Sequence, residues 1–254
     1  MTHWIRFDHA GQQGFGTLQD GMVQPHEGSM FDVATAAGGM LALGDVKLRA
    51  PVQPGKVIAM YNNFGALLEK MNVKRPLEPQ YLAKPPNTFA DPGATIRKPP
   101  VDSRIIFEGE LAIVIGKRAR DVPPARALEH VFGYTCANDV TAVDFLTRDP
   151  SFQHWVRAKG FDGFLPLGPI IATGLDPATL VVRSVLNGQV RQEYSVSDMV
   201  FGVPQLVHLL SQGVTLDPGD VILAGTSVGV GVMKPGSTID ISIEGIGTLS
   251  NRFE

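Results

Sequence analysis

The chain has 254 residues, 44% of them hydrophobic and 19% charged, and a net charge of −3. That length suits one large globular domain or a small unit joined to a larger one, and the charge provides no basic stripe of the kind that binds a phosphate backbone, so nucleic acid is excluded as a partner. No apolar run reaches the ~20 residues of a membrane span, the N-terminus MTHWIRFDHA carries charge where a signal peptide needs an apolar core, and the only cysteine, Cys136, has no intrachain partner, so the expectation is a cytoplasmic protein without a membrane partner.

Residues 1–50 alternate short apolar pieces with turn signals, from Trp4-Ile5-Arg6-Phe7 through Gly11 to Gly16 and on to Gly21-Met22-Val23. This rhythm predicts a small N-terminal antiparallel β unit. His3, His9 and His26 lack metal-ligand spacing and read as surface histidines. Pro51-Val52-Gln53-Pro54-Gly55 marks the boundary, with a larger domain over 51–254. Lys56 to Met60 is β-branched and apolar enough for a short buried strand. The following ALLEKMNVKRPLEPQ puts Leu67, Leu68 and Met71 at helical spacing before Pro76 stops the helix. Such a helix is either a mobile lid over a site or a plain surface helix. Tyr81 to Lys84 is a strand ended by Pro85 and Pro86, with Lys84 at its end.

The most unusual stretch is Ile105–Gly116, IIFEGELAIVIG, where Glu108 and Glu110 interrupt a strongly apolar run. In one continuous strand, residues i and i+2 share a face at a spacing of about 6.5–7 Å, which suits two oxygen ligands of one divalent cation. The alternative is a strand edge with two solvated glutamates. Gly109 lets another segment approach closely, and the apolar residues on both faces predict a strand buried on both sides. Pro123 and Pro124 open a helix over ARALEHVF, with His130 in its last turn in a structural role. Gly133 to Thr141 is a strand running into Asn138-Asp139, where Asp139 is either a third carboxylate ligand or part of an ordinary turn. Further on, Lys159 offers an ammonium that, near a metal, binds a substrate oxyanion. The rest reads as structural: a strand over Leu180–Leu186, a hairpin turn at Asn187-Gly188 with Val190–Tyr194 as partner, and a helix opened by Pro204 with Leu206, Leu209 and Leu210 facing the core and Gly213 as its stop. The glycines at 225, 229 and 231 lack the Lys-Ser/Thr of a phosphate loop and fit close approach to a small carboxylate instead.

Taken together, Glu108-Gly109-Glu110, Ala137-Asn138-Asp139, Arg157-Ala158-Lys159-Gly160-Phe161-Asp162, Pro166-Leu167-Gly168-Pro169, Val185 to Gly188, Leu216 to Asp220, and Gly225-Thr226 with Gly229-Val230-Gly231 resemble the fumarylacetoacetate hydrolase superfamily. The pattern runs in order from about residue 50 to the C-terminus. The resemblance implies a mixed β fold with short helices (α+β), a β-sheet roll carrying the small N-terminal unit, assembled as a homodimer and acting on a small 2-oxo acid. It implies Mg²⁺, or Mn²⁺ or Ca²⁺, held by Glu108, Glu110 and Asp139, with Lys159 as the active-site lysine and Thr226 on the substrate carboxylate. Lys84 and Gly225 complete the expected substrate-binding set.

Two departures shift the expected chemistry. Hydrolases of the superfamily carry Asn-Tyr-x-x-His-x-x-Glu, whose histidine and glutamate activate water; here the stretch is Asn63 to Lys70, with Leu67 and Lys70 at those two positions. Leucine cannot take a proton. Glu69 is one residue away from the glutamate position, and a helix turns about 100° per residue, so it need not face the site. Val143 also stands where an arginine precedes the aspartate, here Asp144. Glu69 and His154 are the candidates for a replacement base, a surface role being the alternative for His154. The balance favours decarboxylation or keto–enol isomerisation, as in the branch that handles 5-carboxymethyl-2-oxo-hex-3-ene-1,7-dioate and 2-hydroxyhepta-2,4-diene-1,7-dioate. The alternatives are C–C hydrolysis of an acylpyruvate or fumarylpyruvate type of substrate and a non-catalytic protein that binds metal or ligand.

Overall fold

A computed structural model describes all residues, 1–254. Strands dominate and helices are few and short, as the superfamily resemblance implies. The backbone of the molecule is a 13-stranded sheet. At its centre Gly109–Ile115 lies antiparallel between Val131–Asn138 and Val221–Leu223, and Val221–Leu223 continues in parallel to Val57–Tyr61. A five-stranded sheet that includes Val181–Leu186, Gln189–Ser195, Thr238–Ile243 and Gly247–Phe253 packs on one face of this centre. A three-stranded sheet holds Ile105–Phe107, Thr141–Ala142 and Gly231–Met233.

The N-terminal residues form antiparallel strands, His3–His9, Gln12–Gln19 and Met22–Gly28. They do not make a separate sheet. His3 pairs with Ala172 and Trp4 with Ile171, which joins them to the strand Leu165–Ala172 and so to the central sheet.

Burial on both faces of the central strand holds. Leu111, Ile113 and Ile115 enter the larger core on one side, while Ala112 and Val114 enter a second cluster with Ala59, Ala137, Leu165 and Leu223. Sandwiching between layers, and not parallel pairing, accounts for this, because both neighbours are antiparallel. The single strand expected over 105–115 is two. Ile105–Phe107 belongs to the small sheet and Gly109–Ile115 to the large one, so Glu108 sits at the joint where the chain changes sheets.

The expected close approach at Gly109 is real: a Cβ there would stand 2.1 Å from Ser184 Oγ on the facing sheet. Asn187 and Gly188 both take positive φ (51° and 76°) in the hairpin turn, the geometry of a two-residue connection. Helix α1, Gly65–Met71, ends five residues before Pro76, because Asn72 adopts the left-handed conformation (φ 52°) and caps it. In helix α3, Val203–Leu210, the buried face is Val203, Leu206, Val207 and Leu210, with Val207 taking the place expected of Leu209. No helix is long and apolar enough to cross a membrane.

Candidate active site

Three acidic side chains converge where the sheets meet. Oxygen atoms of Glu108, Glu110 and Asp139 lie within 4.8 Å of one another. Pairing of Gly109 with Asn138 and of Glu110 with Ala137 sets their register, and Asp139 N–H donates to the Glu108 carbonyl at 2.9 Å. Glu110 and Asp139 are almost fully buried (0% and 1% exposed), so the charge they carry needs compensation.

Two ammonium groups supply part of it. Lys159 Nζ donates to Asp139 Oδ2 at 2.7 Å and to Glu108 Oε2 at 3.1 Å. It comes from the last turn of helix α2, Trp155–Lys159. Lys84 Nζ donates to Asp139 Oδ1 at 2.5 Å and to the Phe164 carbonyl at 2.9 Å. Thr141 Oγ1 donates to Glu108 Oε1 at 2.6 Å, and Gly225 N–H to Glu110 Oε2 at 2.8 Å.

The electrostatic consequences differ from group to group. Burial raises the Glu110 carboxyl well above its ordinary value, and repulsion from Asp139 and Glu108 adds to the rise. Burial also acts to raise Asp139, but the charges and hydrogen bonds of Lys159 and Lys84 outweigh it and hold that carboxyl low. Lys159 is raised because Asp139, Glu108 and Glu110 together overcome its own desolvation, so it stays an ammonium. Lys84 is lowered, burial outweighing the attraction of Asp139.

The donor set fits a hard divalent cation. All three acidic groups are carboxylates, the oxygen donors such a cation prefers, and Glu110 Oε1 is buried without any hydrogen-bond partner. An orphaned buried carboxylate oxygen is costly unless a positive centre meets it.

A cavity of about 210 Å³ opens beside the cluster, and Glu108, Lys159 and Thr226 line it. Leu67, Met71 and Leu82 line it as well. The other expected residues take different places. Glu69 is exposed on helix α1 and does not line the cavity; Leu67 does, and two steps along a helix turn a side chain by about 200°. His154 also lies outside the lining, its ring edge-on to Phe152 with centroids 5.2 Å apart. Lys84, expected on the substrate, has a side chain with no exposure and spends its bonds on Asp139 and Phe164. Gly225, also expected on the substrate, gives its N–H to Glu110.

Thr226 reaches the cavity with its hydroxyl already engaged. Its single hydrogen points to the Gly109 carbonyl at 3.0 Å, while Gln192 Nε2 donates to its oxygen at 2.8 Å. A hydroxyl has one hydrogen to give, so donation to a substrate carboxylate requires release of Gly109, whose carbonyl retains Tyr194 OH at 2.6 Å.

Gln192 and Tyr194 are contributors the sequence reading missed. Gln192 is 1% exposed, accepts from Gly109 N–H at 3.1 Å and from Ser184 Oγ at 2.8 Å, and donates to the Ser227 carbonyl at 3.1 Å. It clamps the Glu-Gly-Glu turn to the Thr226 loop. The signal was present: Gln192 and Tyr194 stand two apart in a strand, polar groups on the face that must turn inward.

Residues 56–254 match the family described as fumarylacetoacetate (FAA) hydrolase, C-terminal, and residues 2–51 match the one described as Rv2993c-like, N-terminal. Protein Rv2993c of Mycobacterium tuberculosis is 43% identical over 224 residues, covering 87% of this chain and 83% of its own length. Oxaloacetate tautomerase YisK of Bacillus subtilis is 38% identical over 229 residues, covering 84% and 75%. The crystal structure of 2-hydroxyhepta-2,4-diene-1,7-dioate isomerase from Mycobacterium marinum has a TM-score of 0.91 at 36% identity, covering 100% of this chain and 98% of that one. With nearly four-fifths of its length inside the family match and an acidic cluster at the centre of the fold, this chain belongs to the fumarylacetoacetate hydrolase family.

Proposed function

We propose that this protein is a divalent-cation-dependent enzyme acting on a small 2-oxo acid, catalysing keto–enol isomerisation or decarboxylation through an enolate. The observation that carries this reading is the contrast across the cavity. Glu108 and Lys159 line it together with Leu67 and Met71, and none of the lining residues is a histidine. Hydrolysis of a carbon–carbon bond requires a positioned water and a base to activate it. Decarboxylation of a β-oxo acid requires above all a sink for developing negative charge, and enolisation adds to that sink only the loss of a C3 proton, which solvent water can take.

Mg²⁺, with Mn²⁺ or Ca²⁺ as alternatives, held by Glu108, Glu110 and Asp139, supplies Lewis acidity toward the 2-oxo carboxylate. Lys159 uses two of its three hydrogens on Asp139 and Glu108. The third is available to an enolate or carboxylate oxygen in the cavity. Lys84 fixes Asp139 from behind, and Gln192 fixes Thr226 and Gly109. The apolar wall excludes bulk water, which strengthens each of these interactions. The relatives named as a tautomerase and an isomerase support this direction.

The test is to incubate the protein and Mg²⁺ with oxaloacetate, an acylpyruvate and a 2-hydroxymuconate-type acid, then weigh the products by mass spectrometry. Loss of CO₂ by mass, or, at unchanged mass, a cation-dependent acceleration of keto–enol interconversion followed by the enol's ultraviolet absorbance, is expected. Two acids from one acylpyruvate would establish hydrolysis instead, and a cation-dependent melting shift with no turnover on any of them would mark a binding protein.

A further inference from the structure

We propose that the cavity selects 2-oxo acids with one carboxylate and an apolar tail over dicarboxylic ones. This rests on the reading of the site as one for a 2-oxo acid, and it deepens that reading by naming the tail.

Beyond the acidic cluster the lining is mostly apolar: ten of its fourteen residues are hydrophobic, and besides Glu108, Lys159 and Thr226 the one other polar residue, Asn62, donates its side-chain N–H to Gln80 at 3.0 Å. Leu67 and Met71 from helix α1, Ile106, Leu146 and the Trp155 ring enclose the space, with Tyr61 packed on Trp155 at 4.3 Å between ring centroids. A tail carboxylate entering this space would need a cationic partner. Lys159 is the only cation in the lining, and Asp139 and Glu108 already share its charge. Three arginines are committed elsewhere. Arg104 pairs with Asp144 at 2.6 Å, Arg148 lies over the Phe145 ring at 4.0 Å while its guanidinium donates to the Asp102 carbonyl, and Arg157 lies over the same ring at 4.8 Å. None of the three lines the cavity.

A buried charge without a partner is strongly disfavoured, whereas methylene and aromatic surface gains by leaving water. Size is consistent with the assignment. A cavity of about 150 Å³ accepts benzene, and the 210 Å³ here leaves room for a ring or a branched chain as the tail.

The experiment uses the full chain loaded with Mg²⁺ and four acids: phenylpyruvate and 4-methyl-2-oxopentanoate against oxaloacetate and 2-oxoglutarate. Enzyme-dependent exchange of the C3 protons for deuterium is followed by NMR, and dissociation constants are measured by calorimetry. In the exchange the C3–H bond breaks, its proton passes to solvent water, its electron pair enters the enolate, and a deuteron from solvent then bonds to C3. We expect kcat/KM for exchange, and affinity, to favour the apolar-tailed acids by about tenfold or more. Equal or reversed preference overturns the proposal. If no acid exchanges, the enolisation reading fails, while the ratio of dissociation constants still decides the tail. Met71→Arg places a cation at a half-exposed wall position that tolerates it; the preference should fall at least about fivefold through better binding of the diacids. A ratio unmoved by that change overturns the assignment of selectivity to this wall.

Discussion

The acidic floor of the cavity and the wall contributed by helix α1 are built in opposite ways. The floor is formed at the ends of sheet strands held in register by ladders on both sides, and Glu110, Asp139, Lys159 and Lys84 are all at most 4% exposed. Among the carboxylate and ammonium atoms there, one Glu110 oxygen is buried with no partner in the chain, as are the Asn138 side-chain nitrogen and the Asn62 side-chain oxygen nearby. Helix α1 is two turns long, leaves Met71 half exposed, and takes its N-terminal support from a distant side chain, Asp198 Oδ2 accepting from Ala66 N–H at 3.0 Å. The floor cannot change one residue without stranding a charge, while the wall exchanges side chains at small cost. That difference explains how a wall can carry leucine where superfamily hydrolases carry histidine while the floor keeps all three carboxylates.

The largest effect should come from breaking the floor. Glu110→Ala is expected to lower turnover by about a thousandfold or more, since a metal centre contributes several kcal/mol to the barrier, and to abolish the cation-dependent melting shift. Full activity with no bound cation would refute the assignment of the triad. Lys159→Met should cost about a hundredfold in kcat with a smaller change in KM, the pattern of a group that acts on developing charge. Initial rates over a range of substrate concentration separate the two.

Lys84→Met tests support from behind. It leaves Asp139 buried with one cation fewer, so a loss of about 3 kcal/mol in denaturant unfolding is expected. Substrate KM in the surviving folded protein should change little, because Lys84 does not line the cavity.

Proton binding gives a subtler measure of the same floor. With Glu110 raised by burial and by its acidic neighbours, the cation-free folded chain holds a proton there more tightly than the unfolded chain. Its contribution to stability is therefore lost as pH rises from the ordinary carboxylate value of about 4.3 through the raised one. Asp139, which Lys159 and Lys84 hold low against its burial, has the opposite sign and loses its contribution as pH falls from about 3.9 through its lowered value. A cation competes with the Glu110 proton, so Mg²⁺ should raise the melting temperature more near about pH 8 than near about pH 5. A shift independent of pH would show that Glu110 does not titrate in that interval.

The smallest effect belongs to the wall. Glu69→Ala should change kcat/KM by less than about twofold, because an exposed side chain on the far side of Leu67 makes no contact with the cavity. A hundredfold loss would restore Glu69 as a base and bring hydrolysis forward.

Much of the floor was legible in the chain because its signals are local. Two glutamates two apart in a β-branched run, and an aspartate directly after an apolar strand, are anomalies visible within a dozen residues. The strands at 57–61 and 109–115, the Asn187-Gly188 hairpin and helix α3 were legible for the same reason. Gln192 and Tyr194 carry only a weak signal in their two-residue spacing, since a polar strand residue reads as solvent-facing until the opposite sheet is known to cover it. Lys84 and Gly225 were assigned to substrate because they end strands near the site; the direction of a buried ammonium or N–H is decided by whichever carboxylate lies closest in space.

By itself the sequence determined the composition of the site: which carboxylates and ammonium are present, that the superfamily's histidine is absent, and that the strands carrying the acids are buried on both faces. Only the tertiary structure decided how those groups are shared. Pairing of Gly109 with Asn138 and the approach of Ser184 and Gln192 to Gly109 bring together residues far apart in the chain. Local propensity holds no record of such contacts, because they arise from sheet register and layer packing. The same packing turned Glu108 into a hinge between two sheets, moved Glu69 and His154 out of the cavity, and left one oxygen of Glu110 for a ligand the chain does not itself provide.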